Sequence, residues 1–239
     1  MITFFTIPRA FTGEFDKLQR TAIQSWRTAV PGCEIILMGN EAGARDAAEA
    51  LNVHWIGDVA TNEMGTPYFY GAFALAHEYA ANDLLCEIST DIILGGDFRF
   101  ALDAMAGIEK PFVIGQRLDI DRGAKPETAV LHDPAGIDYF IYRQGTLGEI
   151  PPFAVGRTAY DNWLVWAAVE KWGLTVIDAT HDITAVHVNH GYPGHDTKAD
   201  FRATEEVAKN RRLFKDSGAS AYGVKHAPYV MVNGKVTKR

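Results

Sequence analysis

Short apolar runs alternate with stretches of helical periodicity through the first 88 residues, and no other feature narrows the possible folds so far. Residues 2–7 are apolar, β-branched and aromatic and are closed by Pro8, which predicts a strand buried on both faces. From 14 to 30 the apolar residues Phe15, Leu18, Ala22, Ile23 and Trp26 recur at threes and fours, one stripe of a helix that Pro31 and Gly32 stop. Residues 34–38 predict a second strand, 42–51 a helix rich in Ala and Glu, and 53–56 a third strand. After a polar loop over 58–66, Pro67 opens a helix to 81, and a fourth strand over 84–88 breaks at Ser89-Thr90-Asp91. Strands joined by helices predict a mainly parallel central sheet flanked by helices, with ligands bound beyond the carboxyl ends of the strands.

The second half is less regular. Strands are expected over 112–115, 139–142, 175–177 and 184–188, and a helix over 158–172. Pro151-Pro152 and Gly191-Tyr192-Pro193-Gly194 punctuate it, which places function-bearing loops there, and 235–239 reads as a loose tail. No linker divides the chain, so the expectation is one α/β domain over 1–239. Its parts are a ligand-binding half to 107, a more irregular half over 108–200, and a C-terminal helix and tail.

Composition bears on what such a sheet can bind. Of the 239 residues 47% are apolar, ample for one large core, while 23 basic residues against 30 acidic ones leave a formal charge of −7. That balance, with no basic block, argues against nucleic-acid binding and against polybasic docking on membranes. A phosphorylated ligand would need local positive charge from a metal, helix N-termini or a few arginines. Cys33, just before a predicted strand, and Cys86, inside another, do not make a disulfide framework or a thiolate zinc site, so a reducing compartment fits. No signal-peptide pattern and no run of about 18 apolar residues occurs, so the reading is a cytoplasmic protein without an integral membrane segment.

Asp91 is the first candidate for chemistry, because a carboxylate just past a buried strand does no packing. It suits a hard divalent ion such as Mg²⁺ or Mn²⁺, and equally suits the cap of a helix near 95–97. His187 and His190, three apart at a strand end, do not share a strand face, so one is expected to complete a metal shell and the other to face solvent or substrate. Asp161, in the first turn of a helix after Gly156-Arg157, is expected to stay ionised at neutral pH and to serve as a base, with Trp163 as a sugar-stacking face. The plainer reading makes Asp161 a helix stabiliser, Arg157 its ion partner and Trp163 core. Asp119-Ile120-Asp121, between Arg117 and Arg122, reads as a solvated turn with internal salt bridges. No Gly-rich phosphate loop and no nucleophile elbow is present.

The strand at 2–7 with Pro8-Arg9, the loop Asn62-Glu63-Met64-Gly65-Thr66-Pro67, Ser89-Thr90-Asp91, Gly136-Ile137-Asp138-Tyr139 and the segment 151–163 together resemble a GT-A fold glycosyltransferase of the bacterial nucleotide-sugar transferase type. The resemblance spans residues 1–200. It implies a nucleoside-diphosphate sugar donor and a carbohydrate or other hydroxyl acceptor. Thr6, Pro8, Arg9, Asn40, Asn62, Glu63, Thr66, Ser89 and Thr90 would then lie about the nucleotide. The family's Asp-x-Asp falls on Ser89-Thr90-Asp91, so Asp91 inherits the Mn²⁺ or Mg²⁺, with His187 completing the shell or His190 in its place. Asp161 is implied as general base if the reaction inverts, and Arg117, Asp138, Tyr139, Arg157, Trp163 and His190 as residues near donor sugar or acceptor. Ser89 in place of the first Asp is a departure. It keeps open a non-catalytic nucleotide- or glycan-binding module, beside a sugar-phosphate nucleotidyltransferase on the same fold.

Overall fold

The computed structural model describes residues 1–191 and 197–239, so the Tyr192-Pro193-Gly194 part of the expected loop lies outside the described residues. β1 (Ile2–Thr6), α1 (Gly13–Ala29), β2 (Glu34–Met38), α2 (Ala44–Leu51), β3 (His54–Ile56), α3 (Phe69–Tyr79) and β4 (Leu84–Ile88) follow the sequence pattern. Then come β5 (Ile92–Leu94), α4 (Phe98–Ala104), β6 (Pro111–Ile114), β7 (Leu118–Ile120), β8 (Val130–Leu131) and β9 (Tyr139–Arg143). The chain ends with α5 (Tyr160–Trp166), β10 (Thr175–Asp178), β11 (Ala185–Val188), α6 (Lys198–Arg202), α7 (Glu205–Asp216), β12 (Tyr229–Val232) and β13 (Lys235–Lys238).

The central sheet runs β13-β12-β10-β6-β9-β4-β1-β2-β3, and strands from both halves of the chain enter it. β9 is antiparallel to β4 and β6, and β13 to β12; the other neighbours are parallel. Successive side chains of β1 pack on opposite faces, Phe4 against Trp26 of α1 and Phe5 against Phe73 of α3. Burial on both faces explains why this strand is continuously apolar instead of alternating. A second sheet, β5-β11-β7-β8, sits past the end of β4. It is made of strands too short for sequence periodicity to show, apart from β11.

Three expectations are corrected. The helix expected from 158 starts at Tyr160, because Ala159 adopts a left-handed backbone (φ 85°), and Ala167–Lys171 continues it as a π turn. Residues 235–239 are not loose: β13 pairs with β12, and Arg239 binds Asp178 at 2.5 Å. Asn233 and Gly234 both take positive φ between these two strands, the two-residue hairpin turn that Asn-Gly favours. Asp119 lies in β7, not in a solvated turn.

Candidate functional site

A cleft of about 350 Å³ opens where β1 and β4 end. Its floor is tied together by Gln19, a polar residue of α1 that is 1% exposed. The Gln19 amide accepts hydrogen bonds from the Arg9 amide and the Thr90 hydroxyl, each at 2.8 Å, and donates to the Arg9 carbonyl at 3.1 Å. One buried side chain thus fixes the loop after β1 against the loop after β4. The Ser89 amide donates to the Asp138 carbonyl at 3.0 Å, which docks the approach to β9 on the same spot.

Asp91 follows this loop and does not cap α4, whose preceding residue Asp97 is taken by Thr184. Its Oδ2 lies 3.0 Å from His190 Nε2 and 3.7 Å from His187 Nε2, and the two Nε2 atoms are 3.4 Å apart. Metal–donor bonds of about 2.1 Å place adjacent ligand atoms about 3.0 Å apart in an octahedron and about 3.4 Å apart in a tetrahedron. The three donors therefore fit one divalent ion with little movement. The expectation that only one histidine would join fails because β11 ends at Val188 and the chain then turns His190 back. His190 Nδ1 meets the Gly191 carbonyl at 2.8 Å, leaving Nε2 for the cluster, and its ring packs on Phe15, over which Arg9 lies. Phe15 thus leaves the core stripe for the site. Burial disfavours charge on Asp91, yet the hydrogen bond from His190 and the charges of His187, His190 and Arg9 outweigh it and hold the carboxyl below its usual range. His187, 8% exposed, has its pKa lowered by burial; that of His190 is raised by its bond to Asp91.

Acidic groups also line the cleft: Glu87, Asp138 and Asp161, with Arg117 binding Asp138 at 2.8 Å and Asp119 at 2.8 Å. Burial raises Glu87 well above a normal carboxyl, with Asp138 and Asp161 adding repulsion; burial raises Asp138 as well, against the pull of Arg117. Asp161 is pushed up to about 7 by burial, although the amides of Asn162, Asp161 and Ile137 favour its charged form. The expected ionisation through the helix terminus is overridden, because desolvation outweighs those amides. Asp119 itself is held low: burial opposes its charge, but bonds from His132 and Arg117 prevail.

The remaining expected residues divide between the cleft and elsewhere. Thr6, Arg9, Ser89, Thr90, Arg117, Asp138 and Arg157 line the cleft with the residues above; Pro8 and Asn40 do not. Asn62, Glu63 and Thr66 form a turn outside the cleft lining. Asn62 binds Glu206 at 2.7 Å and accepts the Met64 and Thr66 amides, and Glu63 pairs with Lys209 of α7. The other Glu206 oxygen takes Arg157 at 2.5 Å, so this turn supports Arg157 and does not reach the cleft. Trp163 is 1% exposed, with its ring among Phe153, Trp166 and Trp172, and offers no face to a sugar. Tyr139 is fully buried in β9 with its hydroxyl against Gly115, and contacts no ligand space. The causes differ: Trp163 lies on the buried face of α5, and β9 is buried on both faces, so Tyr139 is enclosed whichever way it points. Residues missed include Glu87, His132, Lys198 and Arg202, all in the cleft lining. Glu87 carried a signal, a charge inside an apolar strand, and Lys198 and Arg202 share an i, i+4 face; His132 carried none. Lys198 and Arg202 form no ion pair among the described residues.

No family model matches the chain, and no curated protein matches it in sequence. Solved structures do match. TarS of S. aureus in complex with UDP-GlcNAc superposes with a TM-score of 0.62 at 10% identity, covering 95% of this chain and 70% of that one. Glucosyl-3-phosphoglycerate synthase of Mycobacterium tuberculosis, in complex with Mg²⁺ and UDP, gives 0.56 at 14% identity over 92% and 80%. A protein of Desulfovibrio desulfuricans assigned as a nucleotide-diphospho-sugar transferase gives 0.51 at 11% identity over 90% and 97%. The likeness establishes the fold as the α/β GT-A fold found in these nucleotide-sugar transferases. Among the described residues no helix is long and apolar enough to cross a membrane.

Proposed function

We propose that this chain, built on the GT-A fold, transfers a sugar from a nucleoside-diphosphate donor to an acceptor hydroxyl. The observation that carries the reading is the convergence of Asp91, His187 and His190 at the end of β4, in the same cleft as the poised carboxyl of Asp161. Asp91, His187 and His190 would hold a divalent ion, which when bound supplies positive charge to a departing diphosphate. Two imidazoles with one carboxylate suit a first-row ion such as Mn²⁺ better than Mg²⁺, and His190 makes up for the carboxylate missing at Ser89. Arg9, Lys198 and Arg202 add local positive charge, which a chain of formal charge −7 must provide for an anionic donor. Thr6, Ser89 and Thr90 border the donor side, and the Arg117–Asp138 pair faces the sugar.

Asp161 accepts the proton of the acceptor hydroxyl as that oxygen attacks the anomeric carbon, which gives inversion. A pKa near 7 matches a base that works at neutral pH, since about half of it is free to accept a proton and it is basic enough to keep one. The neighbours' ligands support the donor and cation parts of the proposal, and do not bear on the base: TarS was solved with UDP-GlcNAc, and the mycobacterial synthase with Mn²⁺, UDP-glucose and phosphoglyceric acid. The test is a thermal-shift panel of nucleoside diphosphates with and without Mn²⁺, followed by donor hydrolysis. Binding that needs Mn²⁺, with hydrolysis lost in Asp161→Ala, supports the enzyme; binding without hydrolysis of any donor leaves a binding module, and no binding refutes the reading.

A further inference from the structure

We infer that Asp119 is a positioning residue that holds the His187 imidazole with Nε2 turned toward the divalent-cation site, while its second oxygen orients His132 in the cleft wall. The inference rests on the cation reading above and adds to it a residue outside the ligand set. β7 lies between β11 and β8, with Asp119 in register with His187 on one side and Val130 on the other. Directly opposed residues of neighbouring strands share a face, so the carboxylate stands between His187 of β11 and the end of β8, just past which His132 lies.

Its Oδ1 is 3.3 Å from His187 Nδ1, and its Oδ2 is 2.5 Å from His132 Nδ1. Arg117 clamps Oδ1 at 2.8 Å while its other arm holds Asp138, so the carboxylate cannot swing away. His187 Nδ1 is buried and its line to Oδ1 falls outside hydrogen-bond geometry, so it has no hydrogen-bond partner among the described residues. A small rotation of the ring makes that bond with the acceptor already in place.

The consequence is a choice of tautomer. With the proton on Nδ1, the ring donates to Asp119 and presents the Nε2 lone pair to the site. With the proton on Nε2, the Nδ1 lone pair would face a carboxylate, which repels it. His190 has a different partner for Nδ1, the carbonyl of Gly191, and its Nε2 donates to Asp91 until a cation takes the proton's place. Such outer partners of ligating histidines fix ring orientation and raise ligand basicity. His132 is held in the same way, and Gly136 leaves room for it: a Cβ there would come within 2.6 Å of its Nε2.

Two measurements test this on the metal-free protein and on Mn²⁺ binding. In long-range ¹H–¹⁵N spectra of histidine side chains, His187 of the native protein should carry its proton on Nδ1, and Asp119→Ala should shift it toward a mixture. Asp119→Asn, which keeps the shape and one acceptor oxygen, should fall between. Mn²⁺ affinity by electron paramagnetic resonance should weaken about 10–100-fold in Asp119→Ala and be unchanged in Asp121→Asn. An unaltered His187 tautomer in both Asp119 variants, or native Mn²⁺ affinity in Asp119→Ala beside a loss in His187→Ala, overturns the inference. If His187→Ala itself binds Mn²⁺ normally, the cation reading falls, and the tautomer spectra still decide whether Asp119 positions the ring.

Discussion

Replacing Asp161 with Asn should make the protein more stable at alkaline pH while removing its turnover. The Asp161 carboxyl is pushed up to about 7 by burial, against about 3.9 for an aspartate in the unfolded chain. Between those values the folded state keeps a proton that the unfolded state has released, so folding stability is full at low pH and falls as pH rises through the window. Above pH 7 the whole penalty is present: about three pK units at about 1.4 kcal/mol each is about 4 kcal/mol. Asparagine does not ionise, so the variant escapes the whole of this penalty, in which the amides' preference for the carboxylate is already counted. About 4 kcal/mol in a chain of this size corresponds to a rise in Tm of about 8–16 °C at pH 8. The gap should close by about pH 4, where both side chains are neutral in the folded state. Calorimetric melts of both proteins from pH 4 to 8.5, without metal or donor, measure it directly. Turnover in the same variant should drop about 10²–10⁴-fold, the usual worth of a general base. Equal melting temperatures at pH 8, or a gap that persists at pH 4, would refute the claim that burial sets the ionisation of this carboxyl.

Three other outcomes follow from the geometry. Asp91→Ala should abolish the Mn²⁺ dependence of nucleoside-diphosphate binding in titration calorimetry, with some fall in Tm from the lost His190 bond but no unfolding, and unchanged affinity with and without Mn²⁺ would remove this residue from the ligand set. Gln19→Leu strands the Thr90 hydroxyl and the Arg9 backbone groups that it now satisfies, so urea melts should show a loss of about 2–4 kcal/mol, with weaker donor binding; a native melt would mean the two loops hold themselves. Gly136→Ala places a methyl 2.5 Å from the His132 ring, so donor or acceptor KM should rise with little change in Tm, and native kinetics would show that His132 has space to move.

The parallel half of the sheet was readable because β1, β2 and β4 are buried on both faces and, Glu34 and Glu87 apart, dominated by apolar residues, and because α1 carries a strict stripe. Its loops therefore gave Arg9, Ser89, Thr90 and Asp91 at strand ends. The second sheet was not readable: β5 and β7 are three residues long and β8 two, too short for any period to register, so Asp119 passed for a turn. The β12–β13 hairpin did carry a signal in Asn233-Gly234 flanked by Val232 and Lys235, and terminal position alone suggested a tail. Trp163 and Tyr139 mislead for a different reason. Sequence adjacency to Asp161 and Asp138 says nothing of which way a ring turns, and both rings fill the interior. His190 joined the cluster through a turn after Val188 that strand alternation does not describe.

The most direct test of the central claim is a crystal soaked with Mn²⁺ and UDP, measured for anomalous scattering by manganese. The account predicts one peak bonded to Asp91 Oδ2 and to Nε2 of His187 and His190, at about 2.0–2.3 Å, with diphosphate oxygens completing the shell in the cleft facing Asp161. A diphosphate bound in that cleft with no manganese at these three residues, or manganese held elsewhere, would contradict it.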